Sequence, residues 1–299
     1  MHMADYTNLL VGIVFAPLLL GIINRTKAFF SGRTGQPLLQ IYYDIYKNLR
    51  KDAVYSTTTS WVFRAGPVVG LASVLVALAI VPANGSAAPL AFTGDLLLFA
   101  YVLGLMRFFT VLAALDTGSA FEGMGASREV FFSALAEPAL LLGLATVARR
   151  TGTLSLSELL PATSAASPEL VLVIASLCIV FLCENARIPF DDPNTHLELT
   201  MIHEVMVLDH GGPDFAIIQY GAALKVWVLG SLIVGMMLPS AGETHWGINT
   251  AAGCSGMLLL AGIVGIVEST MARLRLVRIP QLLVAAGALS SFAFILTMR

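Results

Sequence analysis

The chain alternates long apolar runs with short polar connections. Runs long enough to cross about 30 Å of hydrocarbon, at roughly 1.5 Å per helical residue, begin near Leu9, Trp61, Leu96, Val130, Leu170, Phe215, Ile248 and Leu276. The pattern predicts an all-α membrane protein, a bundle of about eight transmembrane helices. Two polar stretches carry a different rhythm. Leu38, Tyr42, Ile45 and Leu49 recur at helical spacing with Gln40, Asp44, Lys47 and Lys51 off the stripe, which predicts an amphipathic helix at the membrane surface. Leu197, Met201, Val205 and Leu208 repeat the pattern from Thr195, ended by Gly211, Gly212 and Pro213. No fixed-period repeat or low-complexity tract interrupts the chain, so residues 1–299 read as a single polytopic membrane domain.

Composition sharpens this picture. With 57% hydrophobic and 12% charged residues, the chain has too little charge to cover a water-facing surface, since globular domains carry roughly a quarter. A net charge of −2 offers no field for nucleic acid. The basic residues are lopsided. Loops after odd-numbered spans hold Arg25, Lys27, Arg33, Lys47, Arg50, Lys51, Arg128, Arg187, Arg273, Arg275 and Arg278, while the other side holds Arg149, Arg150 and Arg299. Because cytoplasmic loops keep positive charge, both termini are expected on the non-cytoplasmic side. No Lys or Arg precedes the first run, so that run is expected to remain as a helix instead of being cleaved. The outer connections (residues 83–94, 155–168 and 239–247) read as plain turns, whereas the cytoplasmic ones (24–60, 116–129 and 184–214) carry the polar sequence. Cys178, Cys183 and Cys254 lie in apolar runs without close pairing and read as small core residues.

Several charges fall inside the apolar runs. Arg107 interrupts the third, Glu137 precedes Pro138 in the fourth, Glu184 closes the fifth, and Lys225 and Glu268 lie in the sixth and seventh. A charge at such depth costs about 2.5–3.5 kcal/mol on insertion scales and persists where it finds a partner or water. Two readings are open: buried ion pairs that fix helix packing, or carboxylates that relay protons while Arg and Lys tune them.

The densest polar cluster runs from Glu184 to Asp214, with Glu184, Asp191, Asp192, Glu198, Glu204, Asp209 and three histidines. His196, His203 and His210 are seven apart, about 10.5 Å along a helix, too far for two to share one ion. His203-Glu204 is not followed by the second histidine of an HExxH motif, and no nucleophile triad or phosphate loop has local support. No metal site is expected. Arg187 is placed to hold Asp191 or Asp192. The segment reads as an acidic funnel that admits protons or seats a partner.

The stretch from Glu184 to Asp191, ENARIPFD, resembles the E-x-x-R-x-P-F-D signature of the subunit-1 family of respiratory complex I. THLELTMIHE from Thr195 to Glu204 is more similar to a sister branch, the membrane anchors of energy-converting nickel–iron hydrogenases, which includes formate hydrogenlyase subunit 4 and hydrogenase-4 component C proteins. QPLLQIYYD from Gln36 and LDTGSAFEGMGASRE from Leu115 agree with that branch. The resemblance implies an eight-helix inner-membrane subunit that binds no cofactor itself. It would sit between antiporter-like membrane subunits and a cytoplasmic redox arm, whose hydrogenase large and small subunits carry nickel–iron and iron–sulfur centres. It implies a proton pathway through Glu137, Glu184, Asp191 and Glu198; the polar cluster adds Asp192 and Glu204 as candidates for that path, and Arg107, Arg187, Lys225 and Glu268 are the charges placed to tune or pair with it. The loop around Glu122 to Glu129, with Arg128, would face the arm, and Asp44, Asp116, His196 and His203 on the same polar side are further candidates for that interface. Asn194 and His196 stand where complex I proteins carry further acids, and the Arg25–Gln36 stretch lacks the RxGPNRxG pattern of the quinone enzymes. Both departures favour the hydrogenase branch over a quinone-site subunit. A stand-alone secondary transporter is the remaining alternative, since buried charges also mark substrate paths.

Overall fold

The structure, a computed structural model, describes residues 6–82, 87–160, 167–191, 201–238 and 246–298. The helices are α1 (Thr7–Phe30), α2 (Gln40–Leu49), α3 (Trp61–Ile80), α4 (Asp95–Asp116), α5 (Ala120–Thr151), α6 (Leu156–Leu159), α7 (Pro168–Glu184), α8 (Gly212–Met237), α9 (Trp246–Thr270) and α10 (Ile279–Leu296). No strand occurs among the described residues. Among the described residues, seven helices (α1, α3, α4, α5, α8, α9, and α10 with the turn before it) are long and apolar enough to span a bilayer. The eighth expected span, α7, has 17 residues, the short end of the range for crossing. The chain is therefore a multi-pass membrane protein, as its apolar runs predict.

Local chemistry sets the helix ends. Ser60 caps α3 by accepting the Val62 N–H, while prolines open the first turns of α7, α8 and α10, where a missing N–H costs nothing. Gly152 closes α5 in the left-handed region at φ 77°. Helix α8 is central, touching α1, α2, α3, α7 and α9. On one side α1 lies against α9, closely enough that a Cβ on Gly265 would sit 2.6 Å from Thr26 Cβ. On the other, α5, α7 and α10 meet around buried hydroxyls. Ser290 Oγ is 2.8 Å from both Ala139 O and Ser176 Oγ, and Ser176 donates to Ala286 O at 2.8 Å. Small residues and shared hydrogen bonds hold membrane helices where lipid supplies no hydrophobic drive.

Four features depart from the sequence expectations. Residues 120–129, expected in a connection, form the first turns of α5, which continues for 32 residues. The described part of the helix expected from Thr195 is irregular from Met201 to His203 and then a 3-10 turn, Glu204–Val207. There Asp191 takes the N–H groups of Ile202 and His203 at 3.0 and 3.2 Å, so those groups are bonded outside any helical ladder. Helix α2 forms, but the edge it buries is Ile41 and Ile45, while Leu38 and Leu49 at its two ends stay exposed. Finally, the outer connection after α5 is more than a turn. Asp95, fully buried, accepts from Ser155 Oγ at 2.9 Å and Leu156 N at 2.7 Å, pinning α6 with Leu156 and Leu159 wholly enclosed.

Candidate functional site

Arg107 of α4 lies at the centre of a buried charge group. Its Nε is 3.4 Å from Glu129 of α5, and its two terminal nitrogens bond Glu137 of α5 and Glu184 of α7. Lys225 of α8 approaches the other Glu184 oxygen at 2.8 Å. The Glu184 side chain is 5% exposed and those of Arg107 and Lys225 are 10%, whereas that of Glu137 is 49%. A planar guanidinium carries five donors in a fixed fork, so it can serve several carboxylates at once. The ion pairs that the sequence offered as one reading are thus present, with Glu129 joined to them although sequence reasoning put it at an interface. Arg107, Glu137 and Glu184 also line a cavity of about 210 Å³ with Leu97, Tyr101 and Leu140. The helix-embedded charges are therefore paired and have space beside them.

A second group lies under the E-x-x-R-x-P-F-D loop. Glu268 of α9, its side chain fully enclosed, is 3.4 Å from both Lys27 of α1 and Arg187. Asp191 meets Arg273 at 2.8 Å, and Leu274 N bonds Pro189 O at 2.9 Å, so the α9–α10 connection is tied to the loop. Arg187 therefore reaches Glu268 across the bundle, and Asp191 is held by Arg273 instead. Nothing in the spacing of the sequence identifies either partner. A small cavity lined by Glu129, Glu184, Phe190, Asp191 and Ile202 joins the two groups.

The start of α5 clamps the segment from Met201 to Gly211. Glu122, 1% exposed, accepts Asp209 N at 3.1 Å, and Arg128 donates to Met201 O at 2.9 Å. Gly125 makes this possible: a Cβ there would lie 2.2 Å from Val205 Cγ1 and 2.9 Å from Ile202 O. Asp116 accepts Ser60 N at 2.6 Å, and Asp44 bonds Gln40 at 2.9 Å along α2. Of the expected interface residues, Asp44, Asp116, Glu122, Arg128, Glu129 and His203 thus make contacts within the chain. Glu204 opens the 3-10 turn. Asp192, His196 and Glu198 lie outside the described residues. Among the described residues no group of three His, Cys, Asp or Glu could hold a metal.

Sequence reasoning did not single out His210 for more than metal binding. Its ring lies flat on Phe63 of α3, centroids 3.9 Å apart and planes 7° apart. Tyr55, hydrogen-bonded to Asp214 and raised above the usual phenol range by it, stands edge-on to Phe63 at 6.4 Å beneath Arg64. Burial holds both His203 and His210 below the ordinary imidazole range; Asp214 and Asp209 partly offset this at His210. The seven-residue spacing that argued against a shared metal was the only signal available for these rings.

A family model described as NADH dehydrogenase matches residues 5–298. Formate hydrogenlyase subunit 4 of Escherichia coli (strain K12) is 32% identical over 302 residues, covering 96% of this chain and 95% of that protein. Hydrogenase-4 component C of the same organism is 32% identical over 292 residues, covering 95% and 91%. An NADH-quinone oxidoreductase subunit of Anaplasma phagocytophilum (strain HZ) is 25% identical over 264 residues, 80% of this chain and 76% of that one. Among solved structures, a chain of the membrane-bound sulfane sulfur reductase, an archaeal respiratory membrane complex, superposes with a TM-score of 0.84 at 20% identity, covering 99% of this chain and 100% of that one. That likeness speaks for the fold.

Proposed function

The chain belongs to the NADH dehydrogenase family of complex I subunit 1-like proteins, and from that premise we propose that it is the membrane-anchoring, proton-coupling subunit of a hydrogenase or formate hydrogenlyase type complex. The observation that carries this reading is the Arg107–Glu184–Lys225 group, a carboxylate held between two cations with a cavity alongside. The two relatives at 32% identity, a formate hydrogenlyase subunit and a hydrogenase component, supply the class of complex.

In this reading the chain acts as one domain of the inner membrane with both termini outside the cytoplasm. It holds no redox centre of its own; nickel–iron and iron–sulfur centres belong to large and small hydrogenase subunits seated on the polar face, and antiporter-like subunits lie alongside in the membrane. Glu184 is the switching carboxylate. A proton arriving at Glu184 from the Asp191 side weakens its hold on Lys225 and Arg107, and release toward Glu137 restores the pairs. A quinone-site role is the second reading, favoured by the NADH-quinone oxidoreductase relative at 25% identity.

The test is purification of the native complex through a tag on this chain. Co-purification of a nickel-binding large subunit and an iron–sulfur small subunit is expected. Their absence, or quinone reduction blocked by quinone-site inhibitors, would replace this reading with the second.

A further inference from the structure

We infer that His203 and His210 form the proton-uptake relay of this subunit, carrying protons from Asp209 and Asp214 across a small cavity to the carboxylates around Arg107. This deepens the proton-coupling reading above and rests on it. The cavity, about 30 Å³ between α3, α4 and α8, is lined by both histidines with Gly66, Gly70, Thr110 and Gly221. That is room for about two waters, each of which needs roughly 10–15 Å³.

Each ring has a neighbour to take from and one to give to. His210 is 7% exposed, and its Nδ1 is buried without a partner. Phe63 fixes its plane from α3, Asp214 faces it from α8, and Asp209 precedes it in its own segment. His203 lines the same cavity; α3 and α4 present only uncharged residues to it, and the charges that act on it are Glu129 of α5, Glu184 of α7, Asp191 of the loop and Lys225 of α8. Ile202, the residue before it, lines the next cavity with Glu129, Glu184 and Asp191. The two histidines therefore stand between the polar face and the helix-embedded charges.

The chemistry suits imidazole. Glu184 and Asp191 are engaged by cations, whereas a neutral imidazole accepts a proton at one ring nitrogen and releases the other from the opposite nitrogen, leaving no net charge behind. One proton bound at His210 Nδ1 is matched by one released from Nε2 to cavity water. His203 repeats the exchange, and Glu184 takes the proton as Lys225 lets go. Burial keeps both rings neutral at rest, so each holds the proton only in transit.

The experiment uses the intact complex in sealed vesicles, comparing His203→Gln, His210→Gln and His210→Gly with the parent. A pH-sensitive dye reads proton uptake, and viologen-linked hydrogen turnover reads the redox arm. Each Gln variant should lower coupled proton uptake at least about 10-fold and remove its near-neutral pH dependence, with viologen turnover within about twofold. Free imidazole should restore uptake in His210→Gly. Unchanged uptake in both Gln variants, or loss without imidazole rescue and with the parental pH profile, overturns the relay. A parent complex that moves no protons overturns the proton-coupling reading itself, a result distinct from either.

Discussion

Glu184 shares its two oxygens between a guanidinium and an ammonium, so the three residues of that group are not equivalent. Replacing Arg107 by Met removes the cation that Glu129, Glu137 and Glu184 all face. Stranding buried carboxylates costs about 3–5 kcal/mol, and the variant should assemble poorly in a detergent thermal-stability assay. Lys225→Met leaves Glu184 still paired with Arg107 and should cost less. Glu184→Gln keeps hydrogen-bonding capacity and should assemble, but lower proton-coupled turnover by about 10-fold or more; unchanged coupling would leave Glu184 a packing residue. His203 and His210 give a pH dependence whose sign is fixed by their lowered folded pKa. They are neutral in the fold, whereas an unfolded histidine protonates near about 6.5. Their contribution is therefore present above about pH 6.5 and lost as pH falls below it. Protection against hydrogen exchange in Met201–Gly211, taken relative to the intrinsic base-catalysed rate at each pH, should fall between pH 7.5 and 5.5, and less so in His210→Phe.

At the scale of elements, the start of α5 and the segment it grips behave as one unit. Gly125→Ala places a methyl 2.2 Å from Val205 Cγ1, an overpacking worth about 1–3 kcal/mol that Val205→Ala should relieve in a double-mutant cycle. Both elements differ from the sequence expectation because a tertiary contact, not the local pattern, decides their conformation. Residues 116–129 read as a polar connection, yet α5 begins at Ala120 and Gly125 serves a close contact with Val205 and Ile202 instead of a turn. The Leu197 to Leu208 stripe has a helical period, but Asp191 captures the N–H groups of Ile202 and His203 before a ladder can form. On the outer side, Asp95→Ala orphans the Leu156 N–H and the Ser155 hydroxyl, and should lower stability by about 1–3 kcal/mol.

For the whole molecule, spans were legible because about 20 apolar residues in a row admit few other structures. Seven of the eight expected starts fall within three residues of a helix beginning; only Val130 lies well inside α5. Pairing of charges was not legible, because Arg107 meets residues 30 and 77 positions away and only helix contacts decide which faces meet. The likeness of ENARIPFD to a family signature located the loop, but the Arg187 contact with Glu268, 81 positions away, was not legible in it. The excess of Arg and Lys after odd-numbered spans predicts orientation. Alkaline phosphatase fused after α10 should be active, since that enzyme folds only outside the cytoplasm, and a fusion in the α9–α10 connection should be inactive.

The buried Asp95 and the short helix it pins have a last consequence. Asp95 ties the outer end of α4 to Ser155 and Leu156, and Leu156 and Leu159 fill that end with wholly enclosed side chains. For a proton-coupling subunit this is insulation. On the proposed reading, ions entering from the polar face while a redox arm is idle would meet packed side chains at this outer end, and the voltage across the membrane would not drain through the subunit.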